Sequence, residues 1–386
     1  MISAGIRFKN FTYKKKLLTH KIKQILKSLI KENNEVIQSL SKNYKDSFSI
    51  KSLNKYKKSQ NFRIIGMGGS TLGTQAIYKF LEKKIKKNFI FADNLQAKKN
   101  NHKKYKCTNI IVSKSGNTIE TIANTSTILN NYNKNIFITE NKKNYLFLLA
   151  NKLKSEIIHH NNFIGGRYSV LSEVGMLPAE LMGLNSYKFR QLNLLIKNKN
   201  FFNSLVLNVA ATIQLIRNKK FNSIIINYDE KSDNLFKWYQ QLIAESLGKK
   251  KKGLLPIVST MPKDNHSVMQ LYLDGFQNNF FTFFYVKETN SEKIKNNNIL
   301  STFNFLKNKN LSNIIYAQKQ ATERVFEKKN IPFRSFEIKK RDEKTLGELF
   351  CFFILETILL GKCLNLNPFD QPAVELIKKE TKKILN

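Results

Sequence analysis

Three hydroxyls and a glycine crowd into six residues of this chain, Ser113-Lys114-Ser115-Gly116-Asn117-Thr118, between the apolar run Asn109-Ile110-Ile111-Val112 and a helical-looking segment from Ile119 to Leu129. A helix begins with backbone N–H groups that have no partner inside it, and its macrodipole favours negative charge at that end. A buried strand that ends in hydroxyls and leads into such a helix can seat a phosphate. A single hydroxyl there would simply cap the helix. Three of them with a glycine leave both readings open.

Other residues could do chemistry beside such a seat. Gly66-Met67-Gly68-Gly69-Ser70 follows the short strand-like Phe62-Arg63-Ile64-Ile65 and precedes a helix from Leu72 to Lys83. This is again strand, glycine turn, helix, although the spacing is not that of a dinucleotide fold. In Gly165-Gly166-Arg167-Tyr168-Ser169 the arginine is notable, because only eight of the 66 basic residues are arginine. Its fixed fork of donors suits a phosphate or an oxyanion, and a plain surface arginine is the other reading. Gln241 and Glu245 lie four apart and so share a face of one helix, which ends at Gly248 and sets the carboxylate at a sheet's rim or in solvent. Of the histidines His20, His102, His159, His160 and His266, the last sits in Lys263-Asp264-Asn265-His266-Ser267 at a helix start, placed for proton transfer or only for capping. Adjacent His159 and His160 make a poor chelate, and no cluster has metal-ligand spacing, so side-chain acid–base chemistry without a cofactor is expected.

These residues need a scaffold that delivers turns to one rim. Strands are predicted at Phe62–Ile65, Phe89–Asp93, Asn109–Val112 and Asn135–Thr139, and again at Ser223–Asn227, Leu254–Val258, Phe280–Val286 and Pro332–Ile338, with helices between them. Such alternation implies parallel sheets with ligands at the carboxyl ends of the strands. The fold class is therefore α/β, with two doubly wound domains side by side. The division reads as a helical N-terminal extension (1–55), a first domain (56–195), a second domain (196–365) and a C-terminal helix packing on the site (366–386). A long core helix is predicted from Leu346 to Leu360, and Leu346–Leu364 is interrupted by Glu348 and Glu356, short of an apolar membrane span.

The formal net charge of +38 points first to nucleic acid, but its lysines are scattered through every segment beside abundant Asn and Ile, which resembles a codon bias more than a reading face. Neither nucleic acid nor membrane is the expected partner. The field should instead draw in an anionic substrate. Cys107, Cys351 and Cys363 have no CxxC spacing, and the opening residues lack the apolar core of a signal peptide, so a reduced cytoplasmic protein is expected.

Taken together, six segments in order resemble the glucose-6-phosphate isomerase (phosphoglucose isomerase) family: Gly66 to Gly73, Ser113 to Thr121, Gly165 to Ser169, Glu245-Ser246-Leu247-Gly248-Lys249, Asn265-His266-Ser267 and Phe369-Asp370-Gln371-Pro372-Ala373-Val374-Glu375-Leu376-Ile377-Lys378. The resemblance implies flavodoxin-like sugar-isomerase (SIS) domains and the reversible conversion of glucose 6-phosphate to fructose 6-phosphate through a cis-enediol. It implies that Ser113, Lys114 by its backbone, Ser115 and Thr118 hold the phosphate, and that Gly69, Ser70 and Gln241 contact the sugar. Glu245 would be the base, Arg167 the cation facing the enediolate, and His266 with Lys378 the ring-opening pair. It also implies a homodimer in which the histidine enters from the neighbouring subunit. Leu247, Met261-Pro262-Lys263-Asp264 and Ala373 depart from the family pattern beside these residues. A dual phosphoglucose/phosphomannose isomerase and a non-catalytic sugar-phosphate-binding regulator are the alternatives.

Overall fold

The computed structural model describes residues 2–11, 16–97, 106–130 and 133–386. Part of the expected helical N-terminal extension (12–15), and His102, lie outside them. The chain opens with β1 (Ile6–Lys9), α1 (Lys16–Lys31) and α2 (Glu35–Ser39). There follow β2 (Asn61–Ile65), α3 (Leu72–Phe80), β3 (Asn88–Ala92), β4 (Thr108–Val112), α4 (Ile119–Ile128), β5 (Lys134–Thr139), α5 (Tyr145–Lys152), β6 (Glu156–His159), α6 (Glu173–Leu181) and α7 (Leu192–Leu195). The second half runs α8 (Lys199–Arg217), β7 (Asn222–Asn227), α9 (Asp233–Leu247), β8 (Leu255–Thr260), α10 (Met269–Asp274), β9 (Asn279–Val286), α11 (Leu311–Lys328), β10 (Phe333–Ile338), α12 (Glu343–Cys363) and α13 (Val374–Leu385).

The first sheet has the order β3-β2-β4-β5-β6 with every pairing parallel. Its central strands are covered on both faces, which is why β4 reads as one uninterrupted buried run. In chain order the strands stand 2-1-3-4-5, so the order reverses between β2 and β4, where an open α/β sheet leaves a crevice at its carboxyl edge. The Gly66–Ser70 turn leaves β2 and the Ser113–Thr118 turn leaves β4. Both candidate loops therefore flank that crevice.

The second sheet is β8-β7-β9-β10 in parallel, closed at one edge by β1 running antiparallel to β10. Residues 1–55 thus do more than form a helical extension. Ile6 and Phe8 turn inward while Arg7 meets Glu337 at 3.7 Å on the outer side. A four-residue edge strand with alternating charges carries too little apolar signal to stand out from its surroundings.

α3 of the first unit packs along α9 of the second, and α12 lies against α9 and α8. In α12 every residue from Thr345 to Gly361 is buried, and Trp238 of α9 meets Phe350 edge-on with ring centroids 4.8 Å apart. The two acidic residues of that buried run are satisfied inside the protein. Glu348 accepts from Ser3 at 2.5 Å, and Glu356 pairs with the fully buried Arg334, which also donates to Asn208 (2.8 Å), Thr282 (2.9 Å) and Tyr239 (3.2 Å). No helix among the described residues is long and apolar enough to cross a membrane.

The C-terminal helix corrects an expectation. No residue of α13 is buried, and Leu376, Ile377, Ile384 and Leu385 are 67–84% exposed. The segment that reaches the rest of the protein is the turn before it, 366–371.

Removing one member of a buried ion pair leaves the other charged and unpartnered, which costs about 3–5 kcal/mol. Glu356→Ala is expected to lose stability on that order in urea unfolding, whereas Arg7→Ala, which removes the exposed member of the pair with Glu337, should change it by less than about 1 kcal/mol.

Candidate active site

The Ser113–Thr118 turn is braced from below. The Lys114 carbonyl accepts from the Glu140 amide (3.1 Å) and from Thr139 Oγ1 (3.3 Å), tying the loop to the end of β5. Gly116 holds φ +66°, and a Cβ there would fall 1.8 Å from Asn144 Oδ1, so only glycine fits. Thr118 is the N-cap residue of α4, yet its side chain does not cap the helix. Its Oγ1 is 2.9 Å from Ser113 Oγ instead, while Ser115 Oγ accepts from the Asn117 amide at 3.3 Å. The hydroxyls thus stand beside helix N–H groups without using them up, which favours the anion seat over simple capping. The Lys114 ammonium lies 3.8 Å from Glu140, and burial pulls its pKa below the ordinary lysine value.

The glycine turn after β2 exists to let backbones touch. A Cβ on Gly66 would sit 2.8 Å from the Val112 carbonyl, so the two crevice loops run against each other. One on Gly69 would lie 2.2 Å from the carbonyl carbon of Gly166, and one on Gly68, at φ +54°, would lie 2.9 Å from Gln241 Nε2. Through these contacts the first unit's turn meets both the Gly165-Gly166-Arg167 segment and α9.

Arg167, at the start of a 3₁₀ turn (Gly166–Leu171), is 1% exposed. Its Nε donates to Ser246 Oγ (2.8 Å), one terminal nitrogen to Gln371 Oε1 (2.6 Å) and Glu245 Oε2 (3.3 Å), and the other to the carbonyls of Pro368 (2.6 Å) and Asp370 (3.0 Å). Tyr168 closes the same knot, with its hydroxyl 2.8 Å from Ser246 Oγ and donating to the Pro368 carbonyl at 2.9 Å. Burial pushes that phenol up. Trp238 Nε1 donates to the Arg167 carbonyl at 3.1 Å, fixing the backbone as well.

Glu245 therefore is neither a solvated helix residue nor a buried one. Its side chain is 32% exposed, with Oε2 toward Arg167 and Oε1 accepting from Gln241 Nε2 at 3.0 Å. Gln241 Oε1 is buried with no partner, an acceptor left over beside the carboxylate. A cavity of about 550 Å³ opens here between the end of α9 and residues 366–374, with Glu245 and Gln371 on its wall. Lys249 spans it to Asp370 at 2.6 Å and holds that carboxyl below its usual range.

The structure thus assembles Gly68, Gly69, Arg167, Gln241 and Glu245, with the Ser113–Thr118 loop alongside. It does not bring in His266 or Lys378. His266 is exposed at the end of a 3₁₀ turn (Lys263–His266), ahead of α10 rather than in its first turn. Lys378 pairs with Glu375 at 2.6 Å on the exposed α13. Ser246, Tyr168 and Gln371 were not singled out by spacing. Each lies inside a quoted motif, next to a singled-out residue or in the signature ahead of Lys378, which was the available signal.

A profile of the phosphoglucose isomerase family matches residues 20–386. The chain belongs to that family. Among its relatives, the glucose-6-phosphate isomerase of Methanocaldococcus jannaschii is 33% identical over 352 residues, covering 85% of this chain and 84% of that protein. The glucose-6-phosphate isomerase of Mycoplasmopsis pulmonis is 32% identical over 380 residues, covering 90% and 88%. Two crystal structures share the fold. A hypothetical protein of Thermus thermophilus superimposes with a TM-score of 0.81 at 23% identity, covering 95% of this chain and 94% of that one. A glucose-6-phosphate isomerase of Chlamydia trachomatis superimposes with 0.68 at 19%, covering 87% and 72%.

The brace at Gly116 can be tested with a phosphorylated sugar. Gly116→Ala is expected to raise the KM for a hexose 6-phosphate about tenfold or more, because the loop must move away from Asn144. Circular dichroism should show the fold retained, and an unchanged KM would detach this loop from the phosphate.

Proposed function

We propose that this chain interconverts glucose 6-phosphate and fructose 6-phosphate, with the chemistry at Glu245. The observation that carries this reading is the carboxylate held by Gln241 and 3.3 Å from a buried arginine, across from a loop of hydroxyls and helix N–H groups. The phosphate at C6 would rest on Ser113, Ser115, Thr118 and the backbone of Lys114, while Gly69 and Ser70 flank the sugar. Those contacts set the distance from C6 to the reacting carbons and so position C1 and C2.

In the open-chain aldose, Glu245 removes the proton from C2. The electron pair becomes the C1–C2 double bond, and the C1 carbonyl oxygen takes the negative charge. Arg167 stabilises that enediolate through the charge of a guanidinium already held in place by Ser246, Gln371 and Pro368. Glu245 returns its proton to C1, and the C2 hydroxyl passes its proton to the oxygen on C1, leaving the ketone at C2. The unpartnered Gln241 Oε1 is placed to accept from a sugar hydroxyl. No feature of the site favours mannose 6-phosphate as a second substrate or a regulator without chemistry.

Ring opening needs His266 and Lys378, which stand apart from Glu245 in the single chain. We infer that a second copy completes the site, with His266 crossing from the neighbour and α13 settling once the dimer forms. The exposed apolar residues of α13 support this, because a helix with Leu376, Ile377 and Ile384 in water is short of a partner. The three free cysteines fit the reducing cytoplasm proposed for the enzyme.

With fructose 6-phosphate supplied and glucose 6-phosphate followed through a coupled dehydrogenase, Glu245→Gln should lower kcat by about a thousandfold or more. Full activity in that variant would remove Glu245 as the base. For the shared site, Glu245→Gln and His266→Ala chains are each expected to be nearly inactive. Mixed so that subunits exchange, they should regain about a quarter of wild-type activity, because one site in each mixed dimer is intact. No recovery despite demonstrated exchange would place His266 outside a shared site.

A further inference from the structure

We propose that the groove between β3 and α4 is a separate binding site for a small monocarboxylate with an apolar body, anchored by Arg63. Arg63 is the middle residue of β2 and points to the same side of the sheet as Ile65, which packs with Ile111 and Phe137. It is 8% exposed. Its strand neighbours in register are Ile90 and Asn109, neither of them charged. Among the described residues the guanidinium has no hydrogen bond and no ion pair. Burial pushes the nearby Cys107 thiol up, and the positive charge of Arg63 offsets part of that rise.

A buried guanidinium without a counter-charge is costly, and the chain's other buried arginines all have acceptors. Arg63 instead faces a cavity of about 410 Å³, a volume typical of small-ligand sites. Ile90 and Leu95 supply the aliphatic part of one wall, beside Asn94 and Gln96, and Ala123 and Ile128 of α4 that of the other, beside Asn124 and Thr127.

The lining also selects among anions. One arginine supplies one positive charge, and its planar fork matches the two oxygens of a carboxylate. Asp93 lies on the same lining and accepts from Gln75 at 2.5 Å, so a second negative charge on the ligand would be repelled. The aliphatic walls cover a hydrocarbon body. A sugar phosphate fits these features poorly, and the groove shares no lining residue with the Glu245 cluster or the Ser113–Thr118 loop. The site is therefore distinct from the one that holds the sugar.

Isothermal titration of the full chain with hexanoate, and with uncharged hexanamide, tests this directly. Hexanoate should bind one per chain, with hexanamide about tenfold weaker or worse. Arg63→Met should weaken hexanoate by a similar factor while fructose 6-phosphate turnover stays at the wild-type level, and saturating fructose 6-phosphate should leave hexanoate binding unchanged. Absence of hexanoate binding, equal binding by the amide or by Arg63→Met, or displacement by fructose 6-phosphate would each overturn the proposal. Should Arg63→Met not fold, Ala123→Phe blocks the groove from the helix side. Loss of hexanoate binding in that variant supports the site, and retention overturns it.

Discussion

The active cluster depends on the way one buried cation is held. Arg167 is inaccessible to water, and it draws its acceptors from α9 and from the turn ahead of α13. Most of them are neutral: a serine hydroxyl, a glutamine amide oxygen and two backbone carbonyls. Neutral acceptors orient a guanidinium without cancelling its charge, whereas a bidentate carboxylate would spend the charge on a ground-state pair. The one carboxylate that does approach, Glu245, comes at 3.3 Å to a single nitrogen and keeps its other oxygen on Gln241. The pair is close enough to share a substrate and loose enough to leave the cation available for an oxyanion.

Holding the arginine this way constrains the backbone around it. Gly69 must pass the Gly166 backbone at a distance that leaves no room for a side chain on Gly69, and Gly68, at φ +54°, runs against the end of Gln241. The glycine turn after β2 therefore serves as the joint between the first sheet, the arginine segment and α9. The same turn borders the Val112 carbonyl and with it the Ser113–Thr118 loop. A sheet whose strand order reverses between β2 and β4 delivers both loops to one crevice, so the proposed anion seat and the glycine joint to α9 lie side by side.

Much of this was legible in the residues. Long apolar runs such as Ile110-Ile111-Val112 and Phe280–Val286 announce strands buried on both faces, and hydroxyls with glycine after them announce the loops. What spacing could not supply was contact between distant segments. Nothing local says that Pro368 and Gln371 end on Arg167, or that Ser246 matters more to it than the carboxylate beside it. β1 was missed because its partner strand lies more than 300 residues away and its own four residues carry little signal. Lys378 was nominated by motif alone, and His266 by motif and by its expected place at a helix start. A motif specifies identity in an assembled site, and the single chain leaves both side chains in solvent.

The arginines give the most general lesson about reading such a chain. Lysine makes up most of the 66 basic residues and, among the described residues, lies mainly toward the surface, the buried Lys319 apart, where a flexible ammonium is sufficient. Arg167, Arg190 and Arg334 are each 1% exposed, and Arg341 is largely covered. Arg190 binds both oxygens of Asp46 at 2.6 and 2.9 Å, Arg341 those of Asp229 at 2.6 and 3.1 Å, and Arg334 those of Glu356. These three close their forks on a carboxylate and act as rivets between elements. Arg167 spreads its donors over mostly neutral acceptors, and Arg63 has none among the described residues. Where composition makes one cation scarce, its burial shows where geometry is required, and its partners then separate structure from chemistry. An arginine whose charge is already matched holds the fold, whereas one whose charge is left over is placed to meet an anion.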